Sequence, residues 1–235
     1  MKKKLAAALL AAAMLMASLA GCGAPSTSQP TESTPPASSA AEDGKKVLTI
    51  AQGGDISTFD MQNHNNGVTG AVLCNVSHSL VERADEDNSW MCVLATSYEM
   101  IDDSTWEFKL RDDVTWHNGD PFTAADVKWT YERAATDESL AENHIFSVIK
   151  EVQIVDDYTV RFVTNGPYPT MLSLLSKNGS EVMPSKYIEE NGLDYYLEHP
   201  IGCGPYKFKE WIKDDVVVLA RYDDYFGGTP SWDEV

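Results

Sequence analysis

A low-complexity segment, residues 23–44, limits which part of the chain can fold. It reads GAPSTSQPTESTPPASSAAEDG and is dominated by Ser, Thr, Pro, Ala and Gly, with no apolar periodicity. Such a composition cannot bury enough apolar surface to offset the entropy lost when a backbone is ordered. The segment is therefore predicted to be a tether, at most about 70 Å long at roughly 3.3 Å per residue. A folded domain is predicted to begin near Lys45.

The residues before this tether have the pattern of an export signal. Met1–Lys4 is basic, and Leu5–Ala20 is a run of 16 residues of Leu, Ala and Met with one Ser. The run is short for a membrane span but typical of a signal peptide's apolar core, which predicts a signal peptide over residues 1–21. A short hydrophobic helix at a free terminus of a cytosolic domain is disfavoured, because it has nothing to pack against.

The signal is followed by Leu19-Ala20-Gly21-Cys22, which resembles the lipobox of bacterial lipoproteins. The resemblance implies cleavage before Cys22 and a lipid on its thiol, followed by the tether to residue 44. We expect the domain to face the extracellular or periplasmic side of the cell membrane, anchored by this lipid. An ordinary signal peptide with a chance cysteine is the alternative.

The charge balance excludes some classes of partner. The chain has 36 acidic and 18 basic side chains. Removal of Lys2, Lys3 and Lys4 with the signal leaves 15 basic side chains and a net charge of −21. So negative a surface repels phosphate backbones and anionic lipid, which predicts no nucleic-acid partner and no electrostatic docking on a membrane.

Hydrophobic patterns over residues 45–235 predict one large or two small domains of mixed α/β class. Thr105–Leu110 alternates as a half-buried strand, and Thr123 opens a helix over 123–135 with a capping-box pattern. The other predicted elements are a strand over 47–51, a helix over 68–83, hairpins over 152–155 with 158–163 and over 206–211 with 216–220, and short helices over 169–176 and 184–191.

Candidate catalytic and metal residues show no spacing specific to a known chemistry. Five Asp-Asp pairs begin at Asp102, Asp112, Asp156, Asp214 and Asp223, mostly beside predicted strands, where Asp typically caps a turn. The five histidines are scattered, and no Cys/His metal motif is present. Besides Cys22 there are three cysteines, so that either a Cys74–Cys92 disulfide or three buried free thiols is possible. These patterns favour no metal site and no cofactor.

Four ordered stretches carry a family resemblance. The longest, Trp106–Val127, reads WEFKLRDDVTWHNGDPFTAADV, and with it go Ile50–Asp60, Leu94–Tyr98 and Pro200–Tyr206. Together they resemble the extracellular solute-binding proteins of family 5, the peptide, dipeptide and nickel binders of ABC importers. Cys203 stands where the family's loop usually has Thr. Gly202 and Gly204 in that loop are predicted to allow either a close backbone approach or a positive φ.

The resemblance implies a periplasmic-binding-protein type II-like clamshell, of which residues 45–235 form the first lobe only, a mixed sheet with hairpins and flanking helices. The family's second lobe and the returning strands of the first are missing, so the domain is expected to be incomplete. The implied function is a binding protein, not an enzyme, that gives short peptides or related small solutes to permease subunits of an ABC importer. We expect a monomer. An exported lipoprotein hydrolase that uses paired carboxylates is the alternative.

The resemblance also implies which loops line the ligand cleft. They are the loop after the first strand, the loop after the helix that begins at Thr123, and the loop before Pro184. The predicted ligand-binding residues are Asn63, Asn65, Asn66, Gly67, Asn143, His144, Asn178, Gly179 and Ser180. A set of ordinary polar turns is the competing interpretation.

Overall fold

The computed structural model describes residues 44–84 and 86–235, so the predicted signal peptide, the predicted lipidation site Cys22 and nearly all of the predicted tether lie outside the described residues. The helices are α1 (Gly67–Val76), α2 (Ala124–Thr136), α3 (Asn143–Phe146), α4 (Met171–Leu174), α5 (Ser185–Asn191) and α6 (Leu193–Glu198). The strands are β1 (Val81–Arg83), β2 (Trp90–Cys92), β3 (Ala95–Asp102), β4 (Thr105–Leu110), β5 (Ile149–Asp156), β6 (Thr159–Thr164), β7 (Tyr206–Ile212) and β8 (Val216–Arg221).

A four-stranded antiparallel sheet in the order β3-β4-β6-β5 forms the centre of the domain. The predicted alternation of β4 is confirmed, because Trp106, Phe108 and Leu110 are buried at 7%, 0% and 5% exposure. Helix α2 packs on the same face of this sheet and contributes Val127 and Tyr131 to the core. Period-two burial in the strand and an apolar stripe on the helix thus generate one shared core.

The start of α2 is the predicted capping box. The backbone N–H of Thr123 donates to the Asp126 carboxylate at 2.9 Å. The same carboxylate accepts the N–H and the hydroxyl of Ser185 at 2.9 and 2.7 Å, which joins α2 to α5. Burial raises the pKa of Asp126, but its hydrogen bonds satisfy both oxygens. This carboxylate is therefore structural.

Helix α1 is shorter than the predicted helix over 68–83. It ends at Val76, and Ser77 is extended, with φ −142° and ψ 168°. Two contacts from distant segments stop it: the Val76 carbonyl accepts the N–H of Gly204 at 2.8 Å, and the Ser77 hydroxyl donates to the Val182 carbonyl at 2.7 Å. The apolar residues that extended the pattern, Leu80 and Val81, are buried near and in strand β1 instead.

The predicted strand over 47–51 is also wrong. Only Val47 forms a bridge, with Glu234, and the N–H of Leu48 donates to the Glu234 carbonyl at 2.9 Å. Ile50 is 60% exposed. An apolar run forms a strand only where a neighbouring strand pairs with it through backbone hydrogen bonds. Among the described residues, only the segment 233–235 forms such bonds with this part of the chain. The helix predicted over 169–176 is likewise reduced to the single turn of α4.

Both predicted hairpins are confirmed. Strands β5 and β6 pair with Val152 opposite Phe162, and β7 and β8 pair as a separate two-stranded sheet with Phe208 opposite Leu219. The Asp-Asp turns behave as predicted in two cases, since the carboxylates of Asp102 and Asp156 each accept the N–H two residues ahead at 2.8 and 2.9 Å.

The loop that precedes β7 is held by His117. The N–H of Gly202 donates to Nδ1 of His117 at 3.0 Å, so Nε2 must carry the proton that it gives to the Gly204 carbonyl at 3.0 Å. Gly202 and Gly204 serve close backbone approach, not positive φ, because a Cβ on either would lie within 3 Å of the backbone of Asn75 or Val76. The predicted turn at residues 117–120 thus has a second role in anchoring this loop.

This arrangement predicts a specific pH dependence of stability. Burial lowers the pKa of His117 from 6.5 to about 4. The unfolded chain therefore binds the proton more readily, and stability is full above pH 6.5 and falls as the pH falls towards 4. The full loss is about 3 kcal/mol at 1.36 kcal/mol per pKa unit. Urea denaturation between pH 7.5 and 4.5 checks this against His117→Gln, whose amide keeps both hydrogen bonds and does not titrate. An equal pH dependence in both proteins would contradict the assignment.

The cysteines match neither alternative fully. No disulfide joins Cys74 and Cys92; Cys74 is exposed, Cys92 partly buried and Cys203 buried. Burial raises the pKa of the Cys203 thiol to about 11, so that it stays protonated and unreactive at neutral pH. In the described ranges, none of the helices combines the length and apolarity needed to cross a membrane.

Candidate functional site

The three loops predicted from the resemblance meet in space. The Asn63 side chain accepts the N–H of Ala141 at 3.4 Å, which joins the first loop to the second. Gly179 lies against both, since a Cβ there would be 3.0 Å from Glu142 and 3.3 Å from the Met61 carbonyl. Segments about 40 to 115 residues apart in sequence therefore form one polar surface beside the N-terminus of α1. We call this the three-loop surface: residues 63–67, 141–144 and 176–180.

Several of the predicted ligand-binding side chains already have structural partners. Asn66 caps α1, with its side-chain oxygen accepting the N–H groups of Val68 and Thr69 at 2.8 and 3.3 Å. Asn143 donates to the Ala134 carbonyl at 3.0 Å, and the Ser180 hydroxyl, fully buried, meets that of Ser79 at 3.0 Å. Gly179 has φ +89°, and its N–H donates to Glu181. These side chains and the Gly179 backbone therefore hold the loops together.

Four further predicted residues, Asn65, Gly67, His144 and Asn178, lie at the surface. Nδ1 of His144 already lies 3.1 Å from the Ala141 carbonyl, which leaves Asn65, Gly67 and Asn178 available. Across residues 44–84 and 86–235, Asn65 makes no hydrogen bond, and neither does the side-chain amide of Asn178. A free backbone and two free amides are the groups that pair with a polypeptide main chain.

A buried ion pair fixes the chain just before the first loop to helix α2. Arg133 of α2 contacts the Asp60 carboxylate with both terminal nitrogens, at 2.6 and 3.0 Å, and donates to Gln62 at 2.8 Å. The Asp60 side chain is only 3% exposed and that of Arg133 12%. A second pair, Lys177 with Glu142, joins the other two loops. No local pattern predicts these pairs, since Asp60 and Arg133 lie 73 residues apart.

Two further buried groups lie among these loops. His64 is 3% exposed, and neither ring nitrogen has a hydrogen-bond partner among the described residues. Burial lowers its pKa, which keeps the ring neutral. Burial also raises the pKa of Glu181 to about 7, although one of its oxygens accepts the N–H of Gly179 at 2.8 Å. The three-loop surface therefore covers a polar interior that is almost excluded from water.

The alternative of a hydrolase with paired carboxylates finds no support in the described geometry. Hydrogen bonds from Ser104 and Tyr158 lower the pKa values of Asp102 and Asp156, and the Arg111 guanidinium lowers that of Asp113. A general acid needs the opposite shift. The described residues contain no group of three or more His, Cys, Asp or Glu side chains that could hold a metal ion.

An open groove of about 750 Å³ lies apart from the three-loop surface. One wall is the chain at residues 47–56, and the others are α1 and β8. Its lining is mostly aliphatic and includes Leu48, Ile56, Val72 and Leu219. The groove contains none of the predicted ligand-binding residues.

The fold belongs to the class of type II periplasmic binding proteins. The ABC transporter-associated periplasmic binding protein DppA of Helicobacter pylori, solved with the peptide STSA, is 27% identical, with a TM-score of 0.71 over 78% of this chain and 40% of that one. NikZ of Campylobacter jejuni, solved with Ni(L-His), is 27% identical, with a TM-score of 0.66 over 77% and 36%. The predicted partial lobe is thereby confirmed.

The chain belongs to the bacterial extracellular solute-binding proteins, family 5, whose middle-region model matches residues 91–235. Among curated relatives, the glutathione-binding protein GsiB of Pectobacterium atrosepticum is 28% identical over 193 residues, which cover 81% of this chain and 37% of GsiB. The chain thus spans little more than a third of the length of the curated relatives it matches. Its relatives are binding proteins by name.

Proposed function

We propose that this chain is the solute-capturing part of an ABC importer's binding protein, and that its three-loop surface binds short peptides. The observation that carries the proposal is the convergence of three loops, which present an unpaired main chain at Asn65 and unpaired side-chain amides at Asn65 and Asn178. Main-chain hydrogen bonds recognise peptides irrespective of their side chains. Permease subunits are the proposed partners, and solute is released without covalent chemistry.

The choice of peptides over other solutes rests on this polarity. Related proteins are named for glutathione binding, and related structures were solved with a peptide or with a nickel–histidine complex. Glutathione is itself a small peptide. The described residues offer no cluster of metal ligands, whereas the three-loop surface offers free amides. Small peptides are therefore the proposed class, and nickel chelates the second.

The binding test uses the full-length protein, expressed with Cys22→Ala to prevent lipidation. Trialanine and reduced glutathione, titrated by calorimetry, are expected to give a binding heat and to raise the unfolding midpoint. Asn65→Ala is expected to weaken binding about 5- to 30-fold, because one or two hydrogen bonds of about 1 kcal/mol each are lost. Asn191→Ala, an exposed amide on α5, serves as the matched control. The absence of heat and of any midpoint shift with either peptide would contradict the proposal.

We also propose that the lipid on Cys22 holds the protein to the membrane, since the lipobox and tether precede the domain. The Cys22→Ala protein, expressed with its signal, is expected to move from the membrane fraction to the soluble fraction, because the acyl chains supply the membrane affinity. Fractionation and immunoblotting measure this. Retention of the Cys22→Ala protein in the membrane would show that another element anchors it.

A further inference from the structure

Helix α1 contains a glycine that its own stability does not explain. Gly70 lies in the interior of the ten-residue helix, where glycine is less stable than alanine because it loses more backbone freedom. Its φ is not positive, and it neither caps nor ends the helix. A glycine at such a position is explained by a contact outside the helix, such as the close approach of another group to its backbone.

The approaching group is the side chain of Asn178. A Cβ on Gly70 would lie 2.6 Å from the amide nitrogen of Asn178, 3.0 Å from its amide carbon and 3.4 Å from its amide oxygen. These are the three nearest atoms to that position, and all three belong to one primary amide. The Asn178 amide therefore occupies the notch that the missing side chain leaves on α1, with its nitrogen nearest to Gly70.

The loop that carries Asn178 is shaped to reach this notch. Gly179 has φ +89°, a conformation that other residues rarely adopt, and packs against Glu142 and the Met61 carbonyl. Lys177 is tied to Glu142 by an ion pair and donates to the Asn178 carbonyl at 3.0 Å. Both neighbours of Asn178 are thus fixed, while its exposed amide forms no hydrogen bond with another described residue.

We propose that Gly70 is a positioning residue for Asn178: its missing Cβ seats the amide against the first turns of α1 and presents it to the peptide beside Asn65. This inference rests on the proposed function, and it adds a residue that does not touch the solute. It also explains how the loop at 176–180 and the loop at 63–67 keep a fixed spacing, since α1 starts directly after the second of these loops.

The substitution Gly70→Ala isolates this role. The atoms that the new methyl group meets are the far end of an exposed side chain, so Asn178 can swing away without a backbone shift. Alanine also favours the helix. We therefore expect the unfolding midpoint of Gly70→Ala to stay the same or rise, while the affinity for trialanine falls at least 5-fold.

A double-mutant cycle tests whether the effect passes through Asn178. Asn178→Ala alone is expected to weaken binding to a similar extent, and Gly70→Ala added to Asn178→Ala is expected to cause no further loss. Gly166→Ala, where a Cβ meets no atom within 4 Å, is the matched glycine control and should bind as the parent does. A full additional loss in the Asn178→Ala background, or unchanged binding in Gly70→Ala, would overturn the inference.

A readout without ligand separates this inference from the proposed function. Hydrogen–deuterium exchange of residues 176–181 is expected to rise in Gly70→Ala relative to the parent, and to be unaffected by the same change in the Asn178→Ala background. If the parent binds no peptide but exchange follows this pattern, the proposed function fails, and the positioning of Asn178 by Gly70 is still supported. If exchange of residues 176–181 is the same in the parent and in Gly70→Ala, the positioning of Asn178 by Gly70 is refuted.

Discussion

Replacing Arg133 with Met is expected to lower the free energy of unfolding by about 3–5 kcal/mol, because it leaves the Asp60 carboxylate buried without its partner. The carboxylate is 3% exposed and receives two hydrogen bonds from Arg133, at 2.6 and 3.0 Å. Gln62 also loses a donor at 2.8 Å. Urea denaturation followed by circular dichroism measures the change.

A matched arginine on the surface provides the control for this prediction. Arg111 contacts Asp113 at 2.6 Å, the same distance as in the buried pair, but the two side chains are 31% and 56% exposed. Arg111→Met is expected to cost no more than about 1 kcal/mol, because water screens such a pair. The double variant Asp60→Asn, Arg133→Met should be less destabilised than Arg133→Met, since no buried charge remains. Equal losses for Arg111→Met and Arg133→Met would refute the assignment.

The second large effect is expected for Gly202→Ala, which should destabilise the domain by more than about 3 kcal/mol through a backbone collision. The new Cβ would lie 2.6 Å from the carbonyl carbon of Val76 and closer still to its oxygen. Neither backbone can yield easily. The Val76 carbonyl accepts the N–H of Gly204 at 2.8 Å, and the Gly202 carbonyl accepts that of His117 at 2.8 Å.

Thermal unfolding or, if the variant does not accumulate, its soluble yield measures this effect. Gly53→Ala is the control, because a Cβ at that glycine meets no atom within 4 Å. It is expected to change stability by no more than about 1 kcal/mol. The contrast between Gly202→Ala and Gly70→Ala is informative as well, since the first methyl group meets backbone and the second meets only the end of the Asn178 side chain. An unfolding midpoint for Gly202→Ala equal to that of the parent would contradict the close approach.

Sequence reasoning located the loops of the candidate site better than their side-chain roles. The resemblance placed Asn63–Gly67, Asn143–His144 and Asn178–Ser180 on a common cleft, and these loops do meet. It did not distinguish Asn65, which is free, from Asn66, which caps α1. A capping asparagine and a ligand-binding asparagine have the same local sequence. Their difference lies in the backbone geometry of the helix start.

Elements whose stabilising contacts are local or periodic could be predicted from the amino-acid sequence. Three features are of this kind: the alternation of β4, the capping box of α2 and the two hairpins. Each depends on residues within a few positions of one another, so the local sequence pattern predicts it. The family followed from four ordered motifs, which the match over residues 91–235 confirmed.

Elements whose ends or partners depend on distant residues could not be predicted in this way, because long-range contacts override the local pattern there. The helix predicted over 68–83 stops at Val76 because the N–H of Gly204, 128 residues away, donates to the Val76 carbonyl. The apolar run at 47–51 forms no strand, because among the described residues it pairs only at Val47 and Leu48, with Glu234. The Asp60–Arg133 pair and the Gly70 notch likewise join segments far apart in sequence. Such contacts are specified by the packing of the whole domain, because their free energy depends on burial that no short stretch of sequence contains.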